Sequence, residues 1–267
     1  MTAANPPQQQ PDPETNPNMI LSKGPASVPS PQLLSALFTS LARPWRPWRL
    51  TRTLRSDNPH EINGQLTGTA TFAFLKQGSD SNANANANTF GPARDMLYRE
   101  EGEMPSTVIR GMAGLRWTKK YIWRLREDGA GISVWFVKVG GAKTAQNQEE
   151  PEDEADYLFH EFEFSDSSAS GASGSCALAS RKEDQDKDAP LILVTPPTPP
   201  VPSTSETSTT AVLTARGNHL CINDMYRTAY SFRIRPETGE VLSWASRHVV
   251  KGPKKDQDIV NLYTLDD

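Results

Sequence analysis

Between residues 115 and 126 apolar and basic side chains alternate with a period of two, and this pattern constrains the chain more than any other. Leu115, Trp117, Tyr121, Trp123 and Leu125 share one parity, with Lys119 among them; Arg116, Lys120, Arg124 and Arg126 hold the other. Successive side chains of a strand point to opposite faces, so the segment reads as a strand buried on one side and wet on the other. Trp48–Arg55 repeats the pattern, with Trp48, Leu50, Arg52 and Leu54 on one face. In Gln65–Leu75 the face is Leu66, Gly68, Ala70, Phe72 and Phe74, and over 226–235 it is Tyr226, Thr228, Tyr230, Phe232 and Ile234. Ile132–Val139 and Tyr157–Phe164 follow less cleanly. Pro236–Gly239 and Gly252-Pro253 supply turns before further apolar runs at 241–250 and 259–265, which are hairpin signals.

The period changes once. Ser30 can cap a helix and Pro31 suits its first position; Leu34, Leu37, Phe38 and Leu41 then form a single stripe before Pro44 stops it. Before this helix, residues 1–29 are rich in Pro, Gln and Asn and read as a disordered tail. Low-complexity insertions at 79–88, 140–156 (acidic from 146) and 165–211 (Ser, Pro and Thr) lack apolar periodicity, so no structure is expected there. What remains is one helix and a run of strands with hairpin connections and no strand–helix alternation. The expected fold is all-β. Residues 30–267 would form a single antiparallel up-and-down, lipocalin-like barrel of eight to ten strands, with the N-terminal amphipathic helix at one end. A sandwich is the alternative.

Composition narrows the function classes. A net charge of −4 argues against nucleic acid as a bulk partner. No apolar run approaches the roughly 20 residues of a membrane helix, and the first residues show neither a basic nor an apolar signal region. The two cysteines, Cys176 and Cys221, cannot make a disulfide framework, so an intracellular setting, cytoplasmic or nuclear, is expected. Arg43, Arg46, Arg49, Arg52 and Arg55 recur every third residue, but read as a solvated edge plus one interior arginine rather than a phosphate-binding stripe.

Several short motifs occur in a fixed order: Gly64-x-x-x-Gly68-x-Ala70-x-Phe72, Tyr98-x-Glu100-x-Gly102, Tyr121-x-Trp123, His219-x-Cys221-x-x-Asp224-x-Tyr226, and Trp244 followed by Gly252-Pro253-x-Lys255-Asp256. With the helix and the Trp48-Arg49-Leu50-Thr51-Arg52 strand, this ordered set resembles a fungal and bacterial family of unknown function with a lipocalin-like fold. The resemblance implies a barrel and no activity. Arg46-Pro47 stands where lipocalins carry a glycine before the first-strand Trp, and the closing strand ends Tyr263-Thr264-Leu265 without the lipocalin arginine.

A few polar residues look misplaced for pure packing. Arg52 shares the Trp48 face, and an arginine pointing into a barrel needs a carboxylate, carbonyls or an anionic ligand. Glu100, beside Tyr98, is a candidate partner, as is Asp224; Glu100 is also a candidate acid, base or ligand anchor. His219, oriented by Asp224 beside Tyr226, is the candidate imidazole, either contacting a ligand or sitting in a structural network. Trp117, Tyr121, Trp123 and Trp244, with Trp48, Phe72, Tyr230 and Phe232, would line the interior, where core and pocket wall are one surface. His160, His219 and His248 lack metal-ligand spacing and no metal motif occurs; no cofactor is expected, with a haem held by one axial histidine as the alternative. The leading functional expectation is a small-molecule binding protein with a largely apolar ligand and neither nucleic acid nor membrane as partner. The alternatives are an isomerase, cyclase or hydrolase using His219 or Glu100 as general base, and a filled barrel acting as an interaction scaffold.

Overall fold

The computed structural model describes residues 29–76, 94–104, 114–139, 153–165, 193–202 and 209–265. One helix, α1 (Pro31–Leu41), precedes eleven strands: β1 (Trp48–Ser56), β2 (Gly64–Phe74), β3 (Arg94–Glu103), β4 (Arg116–Leu125), β5 (Ile132–Val137), β6 (Ala155–Glu161), β7 (Glu163–Ser165), β8 (Ala211–Cys221), β9 (Asp224–Ile234), β10 (Val241–Gly252) and β11 (Lys255–Leu265). All belong to one antiparallel sheet in the order β6-β5-β4-β3-β2-β1-β11-β10-β9-β8-β7. Apart from β6 and β7, which stand at the two edges, sequence neighbours are sheet neighbours, and β1 joins the two halves by pairing with both β2 and β11.

The two edge strands are consecutive pieces of one segment. β6 pairs with β5, the Phe162 N–H donates to the Ile132 carbonyl at 2.8 Å, and β7 then pairs with β8. The sheet is therefore a nearly closed up-and-down barrel. Its eleven strands exceed the eight to ten expected, because residues 155–165 break at Phe162 where they pass from one neighbour to the other.

α1 closes one end. Ser30 accepts the Leu33 N–H at 3.2 Å as N-cap, and Leu34, Leu37, Phe38 and Leu41 are wholly buried. Trp48 donates its indole N–H to the Leu41 carbonyl at 3.0 Å, and the Val241 N–H donates to Ser40 Oγ at 2.9 Å, so the helix is tied to the first strand and to β10. Above it the core is aromatic: Phe72, Tyr98, Trp123, Tyr230, Phe232 and Trp244 pack edge-on and face-on, and Trp244 stacks on Tyr263 with centroids 3.5 Å apart.

Residues 193–202 lie inside a stretch expected to be structureless, yet they take a definite place on the outer wall. Pro197, Pro199 and Pro200 offer carbonyls that no strand uses. Ser231 donates to Pro197, Ser243 to Pro200 at 2.5 Å, and Arg233 to Pro199 and Pro200 at 3.2 and 3.1 Å. Proline has no N–H for a ladder, so a proline-rich segment docks through its carbonyls on side-chain donors. Ser231 and Ser243 face outward and are 1% exposed. Asp153 and Glu154, at the end of the acidic stretch, are also in place: Lys120 pairs with Asp153 and Lys138 with Glu154, each at 3.0 Å. The remainder of the expected insertions, and residues 1–28, lie outside the described residues. Among the described residues no helix is long and apolar enough to cross a membrane.

Candidate functional site

Strand register builds the site. Arg52 on β1 lies opposite Asn261 on β11, and Asn261 lies opposite Ser246 on β10. On the other side, Glu100 on β3 lies between Ala70 on β2 and Lys119 on β4. Arg52 itself lies opposite Leu66 on β2, and its side chain reaches past that strand to Glu100. Arg52 Nη2 donates to Glu100 Oε2 at 2.5 Å, and Arg52 Nε to Asn261 Oδ1 at 2.6 Å. Asn261 donates onward to Ser246 Oγ at 2.9 Å, and Ser246 meets His248 Nε2 at 3.1 Å. At the other end Tyr98 donates to Glu100 Oε1 at 2.6 Å and its hydroxyl shares a proton contact with Tyr263 at 2.7 Å. Seven residues from four strands thus form one hydrogen-bonded chain inside the barrel. Arg52 and Glu100 are each 4% exposed.

The motif glycines serve this network. A Cβ on Gly102 would come within 2.6 Å of the Trp117 ring. Its absence lets that ring lie close to β3, where it supports the Arg52 guanidinium 4.9 Å from its centroid. Gly252 is bare for a similar reason: a Cβ there would collide with Asp224. Asp224 and Lys255 form an ion pair at 2.9 Å, and Lys255 also donates to the Tyr226 hydroxyl at 2.7 Å. The β8–β9 and β10–β11 turns are locked together at the end opposite α1.

Between the network and the aromatic wall lies a cavity of about 90 Å³. Of the residues expected at the site, Arg52, Tyr98, Glu100, Tyr121, Trp123, Tyr226 and Trp244 line it. Trp117 acts from behind Arg52 instead. His219 and Asp224 do not line it: His219 packs on Phe136, Phe159 and Tyr226, and Asp224 turns to Lys255. Their nearness in sequence does not bring them together, because the hairpin register sets His219 opposite Tyr226 and Asp224 opposite Cys221. Lys119, Ser246, His248, Asn261 and Tyr263 add polar groups to the lining, and Val134, Phe159, Tyr230, Val250 and Ile259 add to its wall. Tyr263, Asn261 and His248 carry the parity of the apolar positions beside them, and that signal could have placed them indoors. A larger groove of about 570 Å³ runs over the outer wall near Gly68 and Gly102, lined by charges of both signs and open to solvent. Among the described residues, no group of three or more His, Cys, Asp and Glu side chains gathers as a metal site.

Burial sets the protonation states. His248 is driven down to about 3 by desolvation, then by the Lys119 and Arg52 charges. His160, which bonds the Tyr230 hydroxyl at 3.0 Å, is pushed down to about 3 mainly by burial. Both are neutral imidazoles at physiological pH. Burial pushes Tyr121 up to about 12 and raises Tyr98 well above its ordinary range, with Glu100 adding to each. Desolvation opposes the Arg52 charge, but Glu100 and the two tyrosines outweigh it and hold its pKa above normal. Lys119 is shifted down by desolvation and then by Arg52. Lys119 is nonetheless an exposed residue, as befits a group at the cavity mouth.

No curated protein matches the chain. The model of a family of unknown function, DUF6314, matches residues 46–178 and 203–265, which takes in every strand of the barrel. An ordered set of motifs that converges on one network, and a family match over well over half of the length, lead to one statement: the chain belongs to DUF6314, a family of unknown function with a barrel-like all-β fold.

Proposed function

We propose that the barrel is a receptor for one small organic molecule, held in the interior cavity and entering at the end opposite α1. The observation that carries this reading is the pairing of an aromatic wall with a prearranged polar network around an unfilled space. Apolar contact would supply most of the binding free energy, and the network would fix orientation. At about 90 Å³ the cavity falls below the roughly 300 Å³ typical of ligand pockets, which confines the ligand to a small one. Binding suits the geometry better than turnover. Both Glu100 oxygens already accept hydrogen bonds, from Arg52 and Tyr98, and His219 stands outside the lining, so neither expected base is an uncommitted group facing the cavity.

The small volume also favours a second reading, a filled barrel that serves as a scaffold. Native mass spectrometry of protein purified from its own host separates the two. The receptor reading expects an added mass that disappears on denaturation; a bare chain at every gentle condition removes it and leaves the scaffold.

A further inference from the structure

The cavity has a sign. Glu100 is the acidic residue of its described lining; Arg52 donates to one of its oxygens and Tyr98 to the other, with Tyr263 3.4 Å from Oε1. Among the described residues lining the cavity, the carboxylate is therefore already charge-paired, and a cationic guest would have to compete with Arg52 for it. Lys119 is in the opposite condition. It is the cross-strand partner of Glu100, the position where an ion pair is expected, yet Glu100 turns away toward Arg52. Among the described residues Lys119 has no hydrogen-bond acceptor and no ion-pair partner, although it lines the cavity. Trp244, also in the lining and 1% exposed, has an indole N–H without an acceptor. With His248 neutral, Arg52 and Lys119 face one carboxylate, so the lining carries one net positive charge and unmet donors.

We infer that the guest is a small organic anion, a monocarboxylate, whose carboxylate meets the Lys119 ammonium at the mouth while its apolar part lies against Trp123 and Trp244. The inference rests on the receptor reading and names its ligand class. A charge-assisted contact to this ammonium, exposed at the mouth, supplies the discrimination, because a neutral isostere makes only a weaker hydrogen bond there.

The test uses the full chain and three matched four-carbon probes: butanoate, butanamide and butylammonium. Trp123 and Trp244 report binding through intrinsic fluorescence. Butanoate is expected to bind about tenfold more tightly than butanamide, with butylammonium weakest. Lys119→Met should bring butanoate to the butanamide level, and Lys119→Arg should restore the preference, with thermal unfolding checking that both fold. Since the ammonium form binds the anion, affinity should fall as pH rises, and the loss should begin below the ordinary lysine value of 10.5. Equal binding of butanoate and butanamide, or an unchanged preference in Lys119→Met, overturns the carboxylate while leaving the receptor standing. Binding of none of the three overturns it as well, and a bare native mass then removes the receptor too.

Discussion

Arg52 and Glu100 put two full charges where water barely reaches. A buried pair is a poor way to gain stability: desolvation offsets most of the attraction, and well-packed apolar residues often do as well. Removing one partner is another matter, costing roughly 3–5 kcal/mol because a lone charge stays buried. The pair is better understood as a fixture that holds Tyr98, Asn261 and Trp117 around the cavity. His160 is the residue whose titration stability will report. It is 3% exposed, and its folded pKa of about 3 lies below the 6.5 of an ordinary histidine. Between those values the unfolded chain binds a proton that the folded chain refuses. Stability is therefore full above about pH 6.5 and falls as pH drops toward 3, by about 1.4 kcal/mol per unit from this group. Urea unfolding at pH 7, 6 and 5 should show that slope, and His160→Gln should make it shallower, with His248 supplying part of what is left. An identical slope in the variant would show that other groups control acid unfolding.

Among the elements, the strands were the most legible. Alternation over 48–55, 65–75, 115–126 and 226–235 fell within a residue or two of where strands lie, because one face of each meets a dry interior. The helix was readable for a related reason, its stripe and its Ser30 cap being local. The strap at 193–202 was not. A proline-rich segment has no internal hydrogen bonds and no apolar period, so its place depends on donors 22 to 43 residues away in sequence. Arg233 supplies two bonds to its carbonyls and a third to Thr210. Arg233→Ala should free the strap. Cleavage by chymotrypsin after Leu193 should become faster, while barrel stability falls by only about 1–2 kcal/mol. If cleavage is unchanged, contacts other than Arg233 hold the segment.

At the scale of the molecule, the site was half readable. Arg52 and Glu100 stood out because charges on an apolar parity demand partners, and the sequence offered Glu100 or Asp224 without deciding between them. Register decides: Glu100 is two strands from Arg52, whereas Asp224 sits at the mouth beside Lys255. The link from Arg52 to the Asn261–Ser246–His248 branch was missed because it exists only through the pairing of β1 with the end of the chain, a closure that no local pattern records, although the branch itself lies within the β10–β11 hairpin. The same closure has a mechanical side. Ten of the junctions around the wall are ladders between separate strands, but the last is a single peptide run, residues 155–165, gripped by β5 through one half and by β8 through three residues of the other. Such a run acts as a clasp: letting three rungs slip at Glu163–Ser165 would unfasten the hoop and lengthen its circumference while every remaining ladder stayed intact. Hydrogen exchange should accordingly find the amides of β7 and its facing stretch of β8 opening well before those of β1, β10 and β11, and equal protection around the ring would mean that the hoop is fastened as firmly there as anywhere else.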